Sequence, residues 1–271
     1  MKISVVVAVG GSNIDRYTNA LKQLEVLQSQ TFQPLEIIYV EQIVDGNAYF
    51  NQLPILFDNN KYRYIPIIFR EHPELFSVAW CRNVGVYQSI GDVVVVLDVD
   101  YVFDNHYIET VSKLDIQDIY AGWNVIYYIH NQEKVKYMQQ NIFPVGEETP
   151  EGLYKNKLIH RVGHVGGIQV FNRSWFIDNL GGFSEDMFGW GTEDCDLYAR
   201  AGTIIGTERE LIYNIYHLHH SAKQPDKLIN KITFQKNMLN PKDTARLLKE
   251  VGVGNIDHPS PVYGDSIKWS L

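Results

Sequence analysis

The sequence predicts an α/β protein in which a mostly parallel central sheet is flanked by helices and followed by a C-terminal helical extension. Apolar, β-branched runs at 3–9, 35–40 and 91–100 are typical of strands that are covered on both faces. Amphipathic patterns with helical spacing stand between these runs, at 15–28 and 77–89. Strands that alternate with helices at this spacing favour right-handed crossovers, and therefore a parallel sheet.

Two further segments complete the first hundred residues. The run YIPIIF, at 64–69, is a strand whose Pro66 indicates a sheet edge or a bulge, because proline cannot donate a ladder hydrogen bond. A weaker helix pattern covers 47–57. The strand at 91–100 ends in the triplet D-V-D, at 98–100. In open parallel sheets, ligands bind beyond the carboxyl ends of the strands, which makes this triplet a candidate ligand site.

The second half of the chain is less regular. Residues 131–160 are polar and interrupted by proline and glycine, which predicts a long loop, and loops of this length are usually functional. Beyond residue 221, two amphipathic helices are separated by Asn240-Pro241. The other elements predicted in this half are strands at 120–129, 166–171 and 211–220 and helices at 173–180 and 192–201.

Composition excludes several classes of function. The chain has 32 acidic and 24 basic residues, a net charge of −8 and no run of lysine or arginine, which argues against docking onto bare nucleic acid or anionic lipid. No stretch approaches the roughly eighteen apolar residues of a membrane span, although a peripheral membrane contact stays open. The two cysteines, Cys81 and Cys195, suit a reducing compartment, so the expected location is the cytoplasm.

Two groups of side chains carry metal-binding chemistry. Asp98 and Asp100 lie at the end of a buried strand, and hard divalent cations prefer carboxylate oxygens of this kind. The alternative is an acidic turn that ends the strand. His217, His219 and His220 offer neutral imidazoles, which bind manganese- or zinc-like ions, whereas isolated they would be polar surface residues. The presence of both groups in one chain favours a metal site.

The segment GWGTED, at 189–194, places an indole beside two carboxylates. Thr192 as N-cap and acids in the first turn suit the start of a helix, whatever the function. That reading does not explain the two glycines around Trp190, which permit a sharp turn and expose the ring as an apolar platform. The CH-rich face of a sugar can stack on such a ring while Glu193 and Asp194 bond its hydroxyls.

Other nucleotide and hydrolase signals are weak or absent. Arg82-Asn83, one helix before the triplet, fits a diphosphate clamp or a surface salt bridge equally well. The glycines at 10–11 lack both the G-x-G-x-x-G spacing and the lysine of a P-loop. No G-x-S-x-G motif occurs, so a serine hydrolase has no support.

The chain resembles the GT-A glycosyltransferases, which are nucleotide-sugar-dependent enzymes with one Rossmann-like sheet, a D-x-D metal motif and a third metal ligand downstream. The stretch AWCRNVGVYQSIGDVVVVLDVD is similar to the family's approach to D-x-D. The stretch GHVGGIQVFNRSWFIDNLGGFSEDMFGWGTEDCDL is similar to the G-W-G-x-E-D segment of animal β-galactosyltransferases and bacterial chondroitin-type polymerases. Retaining polypeptide N-acetylgalactosaminyltransferases show E-N in place of Glu193-Asp194, so the resemblance implies an inverting enzyme.

The resemblance implies a role for each of these residues. Asp100, His217 and His220 would hold Mn²⁺ or Mg²⁺, and Asp98 would contact the donor nucleotide or a metal-bound water. Asp194 would be the catalytic base. The implied acceptor residues are Trp190, Gly191 and Glu193, the last also assisting catalysis, and the implied donor residues are Ala8, Val9, Glu41, Arg82, Asn83, Asp98 and Gly167.

These features together predict an inverting, metal-dependent glycosyltransferase that moves a hexose or N-acetylhexosamine from a UDP-sugar to a hydroxyl of a glycan or glycoconjugate. The alternatives are a metal-dependent hydrolase or nucleotidyltransferase acting on a nucleotide-sugar or phosphate ester, and a non-catalytic sugar-binding module. The expected catalytic domain covers 1–220, with a nucleotide-binding half at 1–100 and an acceptor-binding half at 101–220. Residues 221–271 would form the helical extension.

Overall fold

The computed structural model describes most of the chain. The described residues are 1–10, 14–44, 46, 48, 61–72, 74–121, 124–129, 160–164, 166–189, 191–205, 214–218 and 228–262. The helix predicted at 47–57 and the loop predicted at 131–160 lie almost entirely outside these ranges, and Trp190, His219 and His220 lie outside them.

A six-stranded sheet in the order β3-β2-β1-β4-β9-β6 forms the centre of the protein. The first four of these strands are parallel, whereas β9 and β6 are antiparallel to their neighbours, which confirms a mostly parallel sheet. Pro66 lies in β3 at the sheet edge, where its missing N–H breaks no internal ladder. The strands are β1 (Ile3–Gly10), β2 (Glu36–Gln42), β3 (Tyr62–Ile67), β4 (Val93–Asp98), β6 (Ile119–Ala121) and β9 (Ile168–Asn172).

A second sheet of four strands has the order β5-β10-β7-β8. Its strands are β5 (Tyr101–Val102), β7 (Asn124–Ile129), β8 (His160–His164) and β10 (Asn214–Leu218). The single strand predicted at 120–129 is therefore wrong, because its two halves belong to different sheets. The sheet brings β10 beside β5, directly after the D-V-D triplet.

Helices cover the sheet and the C-terminal part of the chain. They are α1 (Ile14–Gln28), α2 (Val78–Gln88), α3 (Tyr107–Ser112), α4 (Arg173–Trp175, continued by a π-helical turn at Phe176–Leu180), α5 (Glu193–Ile205), α6 (Leu228–Leu239) and α7 (Pro241–Val251). The break at Asn240-Pro241 is confirmed, and the Asn240 side chain caps α7 by accepting from the Asp243 amide. No described helix is both long enough and apolar enough to cross a bilayer.

Strands β1, β2 and β4 are buried on both faces, as their continuous apolar runs predict, whereas the edge strand β3 is only partly buried. Successive side chains of a strand point to opposite faces, so Val5 belongs to one core cluster, which includes Leu24 of α1. Val6 belongs to the other cluster, with Trp80 of α2. A Cβ on Gly85 would lie 2.2 Å from Val6 Cγ1, so this glycine lets α2 pack directly on β1.

Candidate active site

The polar residues predicted from the sequence gather at the carboxyl ends of β1, β2 and β4. Asp98 ends β4, and its strand neighbour is Ala8 of β1. Val9 pairs in turn with Glu41 of β2. The Asp98 amide donates to the Gly167 carbonyl at 2.8 Å, which joins the start of β9 to the same edge. This is the edge at which open parallel sheets bind ligands.

Arg82 of α2 is the electrostatic centre of the site. Its fully buried guanidinium donates through Nη2 to Asp98 Oδ1 at 2.8 Å and through Nη1 to Asp194 Oδ1 at 2.6 Å, and Nη1 lies 3.7 Å from Glu193 Oε1. Burial lowers the pKa of Arg82, but the carboxylates of Asp194, Asp98 and Glu193 outweigh it and raise the pKa overall. One cation thus holds three acids, and a diphosphate contact by Arg82 would have to displace them.

Asp194 is held by a second donor that the motif analysis missed. Gln169 of β9 is fully buried, and its Nε2 donates to Asp194 Oδ1 at 2.5 Å. The signal in the sequence was a lone amide in the otherwise apolar strand GGIQVF. Within the described part of the chain, Gln169 Oε1 and Glu193 Oε2 are buried without a hydrogen-bond partner. Buried polar atoms are nearly always bonded, so these two atoms are candidate contacts for a ligand or water.

Glu193 is buried directly beside Asp194, with 4% of its surface exposed. Burial and the adjacent Asp194 carboxylate raise the pKa of Glu193 to about 8, and the opposing charge of Arg82 does not cancel them. The Glu193 carboxyl therefore holds its proton more tightly than an exposed glutamate does. A protonated carboxyl can donate a hydrogen bond, whereas a carboxylate can only accept one.

Asp100 and His217 lie side by side at the predicted metal position. Leu218 of β10 donates its amide to the Asp100 carbonyl at 2.7 Å, and His217 Nε2 is 3.8 Å from Asp100 Oδ1. Two ligands that each lie about 2.0–2.6 Å from one ion can be separated by this distance, so the pair fits a shared divalent cation. No cluster of three ligating side chains occurs among the described residues, and His220 lies outside them.

Arg16 of α1 is a second cation near the D-V-D triplet, and sequence reasoning missed it. Its side chain is 8% exposed. Burial lowers the pKa of Arg16, while the negative charges of Asp100 and Asp98 oppose that shift. In the sequence, Arg16 is an ordinary member of an amphipathic helix, so only the fold places it beside the acids.

The other predicted donor residues occupy different environments. Glu41 is buried and accepts a hydrogen bond from the Tyr64 hydroxyl at 2.6 Å, and Gly167 has a φ of +87° with Tyr101 packed where a Cβ would lie. Asn83 is fully buried and faces a different segment. Its Nδ2 donates to the Phe183 carbonyl and to Glu185, and its Oδ1 accepts from the Phe183 amide, so a donor contact would have to break these bonds.

The segment before Asp194 has an unusual backbone. Gly189 and Gly191 have φ angles of +70° and +99°, as the paired glycines predict, and Thr192 follows with a φ of +72°. Thr192 is the one non-glycine residue with positive φ in the described chain, and such a conformation costs about 1–3 kcal/mol. Strain stored directly before Glu193 is typical of a functional segment. The Trp190 platform itself lies outside the described residues.

Solved structures that share this fold are GT-A glycosyltransferases. The S. aureus TarS 1–349 structure in complex with UDP-GlcNAc aligns with a TM-score of 0.57 and 14% identity, covering 92% of this chain and 70% of that chain. The structure of GalNAc-T7 with UDP, GalNAc and Mn²⁺ also aligns at 0.57 and 14%, covering 92% of this chain and 50% of that chain. At these identities the likeness establishes the GT-A fold.

The family follows from a separate comparison. The model for glycosyltransferase like family 2 matches residues 4–221, which is most of the chain, and the protein therefore belongs to that family. Membership of this family supports glycosyltransferase activity. No curated protein matches the chain at a significant level.

Proposed function

We propose that the protein is an inverting, metal-dependent glycosyltransferase that moves a hexose or N-acetylhexosamine from a UDP-sugar to a hydroxyl of a glycan or glycoconjugate. The observation that carries this proposal is the shared guanidinium of Arg82, which fixes Asp194 beside Asp98. A single displacement needs a base for the acceptor and a site for the donor diphosphate within one pocket.

In the proposed reaction, Asp194 removes the proton of the acceptor hydroxyl while that oxygen attacks the anomeric carbon. The bond from this carbon to the diphosphate oxygen breaks with its electron pair, UDP leaves, and the linkage inverts from α to β. General-base assistance of this kind is typically worth about 10²–10⁴-fold in rate. Arg82 and Gln169 both donate to Asp194 Oδ1, so they orient the carboxylate before the acceptor arrives.

The donor nucleotide is assigned to the ends of β1 and β2, with Ala8, Val9 and Glu41 around the uridine. Asp100 and His217, together with His220, would hold a divalent ion that offsets charge on the departing diphosphate as a Lewis acid. Since the Arg82 guanidinium is held by three acids, we assign the cation on the diphosphate side to Arg16. The UDP complexes of TarS and the UDP and Mn²⁺ complex of GalNAc-T7 support this donor class.

The acceptor sugar is assigned to the start of α5, with Trp190 as the platform that the sequence predicts. Glu193 Oε2 and Gln169 Oε1, which have no partner in the described chain, would bond its hydroxyls. Because burial favours the protonated form of Glu193, we assign to Glu193 a hydrogen bond donated to the acceptor, and to Asp194 the role of proton acceptor. The two adjacent acids thereby take different roles, which their different environments impose.

A thermal-shift panel of UDP, GDP, CDP and dTDP, each with Mn²⁺ and with EDTA, tests the donor assignment. A nucleotide at one hundred times its dissociation constant stabilises by about 2.7 kcal/mol, which moves the midpoint of a domain of this size by several degrees. We expect a shift with UDP that requires Mn²⁺ and is lost in Asp100→Ala. No shift with any nucleotide would rule out the donor site.

A turnover assay tests the reaction class. UDP-galactose, UDP-N-acetylgalactosamine and UDP-N-acetylglucosamine are offered with p-nitrophenyl β-galactoside and p-nitrophenyl N-acetyl-β-glucosaminide as acceptors. We expect a β-linked product from at least one pair, identified by the coupling constant of its anomeric proton. A product with retained α configuration would contradict the assignment of Asp194 as base.

A further inference from the structure

Helix α6 buries a polar face instead of an apolar one. Between 230 and 239, its most buried residues are Asn230, Thr233 and Asn237, each at most 1% exposed. Spacings of three and four place them on one side of the helix. The apolar Ile232 and Leu239 are 40% and 87% exposed. A helix that only covers a core shows the opposite pattern, so this face serves specific hydrogen bonds.

Asn230 bonds to both ends of the loop that carries Trp190. Its Oδ1 accepts from the Phe188 amide at 3.0 Å, and its Nδ2 donates to the carbonyls of Phe188 at 2.8 Å and Gly191 at 2.9 Å. From the opposite side, the Gly189 amide donates to the Phe76 carbonyl at 2.6 Å. The backbone of Phe188, Gly189 and Gly191 is therefore held between α6 and the segment that precedes α2.

This loop needs external support because its backbone is strained. The left-handed conformation of Thr192 persists only if the surrounding contacts determine it. Asn230 supplies three of those contacts from one buried side chain.

A second amide of the same face reaches helix α5. Asn237 Nδ2 donates to Asp196 Oδ1 at 2.7 Å, and Asp196 is ion-paired with Arg200. Asp196 lies two residues after Asp194, so this bond fixes the first turn of the helix that carries the proposed base. Asn230 thus holds the segment before α5, and Asn237 holds the first turn of α5 itself.

We propose that Asn230 is a positioning residue for the acceptor sugar, and that α6 is part of the acceptor site. The proposal rests on the proposed function, since it takes Glu193 as an acceptor contact and Asp194 as the base. It assigns to Asn230 the geometry of Phe188 and Gly191, which lead into these two acids, and to other residues the binding of the donor. Loss of Asn230 therefore weakens acceptor use and leaves the donor side unchanged.

Hydrogen exchange of the full chain tests the loop contact without reference to activity. In Asn230→Ala we expect the Phe188 amide to exchange at least about tenfold faster, because its acceptor is gone. Thr233→Val is the matched control: it is isosteric, lies on the same buried face and has no bond to the loop in the described structure. Equal exchange at Phe188 in wild type and Asn230→Ala would overturn the contact.

Steady-state kinetics with the active pair from the turnover assay test the acceptor role. In Asn230→Ala we expect the acceptor KM to rise on the order of 10- to 100-fold, as misplacement of a binding group does. The donor KM and the slow hydrolysis of the UDP-sugar without acceptor should stay within twofold, and Thr233→Val should match wild type. Asn230→Asp, which keeps the Oδ1 acceptor and removes both donated bonds, is the second variant should Asn230→Ala not fold.

The outcomes separate this inference from the proposed function. If hydrolysis and transfer fall together in both Asn230 variants, or Thr233→Val behaves like them, Asn230 is structural and the inference is wrong. If the wild type turns over no UDP-sugar, the proposed function and the acceptor role fail together, and hydrogen exchange alone decides whether α6 holds the loop.

Discussion

At the scale of single residues, the site is organised around one positive charge that is shared by several acidic side chains. Arg82 is one buried cation among three acids, and burial raises the pKa of one of them, Glu193, which favours its uncharged form. Such a cluster is stable only while each member keeps its partners, since an uncompensated buried charge costs several kcal/mol.

Replacing the base tests the residue that the mechanism depends on most. In Asp194→Asn we expect transfer to fall by about 10²–10⁴-fold, since the amide cannot accept the hydroxyl proton. The UDP and Mn²⁺ thermal shift should persist, because the donor ligands are unchanged. A variant that retains transfer within tenfold would assign the base elsewhere.

Replacing Arg82 tests whether its two guanidinium nitrogens are needed to hold Asp98 and Asp194 at the same time. In Arg82→Lys we expect the free energy of unfolding to fall by about 3–5 kcal/mol, because one ammonium cannot reach Asp98 and Asp194 together. Arg63→Lys is the control, since Arg63 pairs with Glu36 at 2.9 Å but is 34% exposed, and a change below about 1 kcal/mol is expected there. Urea denaturation measures both, and equal losses would contradict the role of Arg82.

The site was predictable from the sequence where a residue of reactive type stands at the end of a predicted strand or at the start of a predicted helix. Asp98 and Asp194 stand in motifs whose chemistry is legible without coordinates, and the fold brings them together. Gln169 and Arg16 could not be found this way, because an amide in a strand and an arginine on a helix are common everywhere. Their roles depend on the acidic side chains that lie next to them, and only tertiary packing determines those neighbours.

At the scale of elements, the parallel half of the sheet was predictable and the second sheet was not. Continuous apolar runs rich in β-branched residues predict buried strands, so β1, β2 and β4 could be predicted from the sequence. By contrast, β5 has two residues, and β6 and β7 fall within one predicted strand but belong to different sheets. Neither a two-residue strand nor a change of sheet leaves a periodic signal.

The contact of α2 with β1 gives a prediction at this scale. In Gly85→Ala we expect the free energy of unfolding to fall by about 1–3 kcal/mol, although alanine is the better helix former. The added methyl would stand 2.2 Å from Val6 Cγ1. Val6→Ala removes that carbon, so the double variant should be more stable than the sum of the single losses implies. Additive losses in thermal unfolding would show that the two elements do not touch as described.

At the scale of the whole molecule, two buried acids link stability to pH. Burial raises the pKa of Glu185 to about 7, against the hydrogen bonds that it accepts from the Ser260 amide, Asn83 and the Gly254 amide. The pKa of Glu193 is raised to about 8. Both groups bind protons more tightly in the folded state, so their contribution to stability is complete below about pH 4.5 and is lost as the pH rises toward 7 and 8.

We therefore expect the free energy of unfolding, and with it the midpoint temperature, to decrease as the pH is raised from 5 to 8. Each group should lower the free energy of unfolding by up to about 1.4 kcal/mol per pH unit. Glu193→Gln cannot titrate, so its slope should be shallower over this range. Glu71→Gln, at a solvent-exposed position, should keep the wild-type slope. Calorimetry in matched ionic strength measures the three profiles, and a wild-type midpoint that rises with pH would contradict the assignment.

Helices α6 and α7 lie past the end of the family match at residue 221, yet they are tied to the rest of the protein by directed bonds. Asn230 and Asn237 bond to residues before that limit, and Lys249 donates to the Asp178 carbonyl. A boundary drawn by sequence similarity would thus cut a hydrogen-bond network in half. A shortened chain for crystallisation, or a graft of residues 4–221 onto another scaffold, should therefore retain both helices.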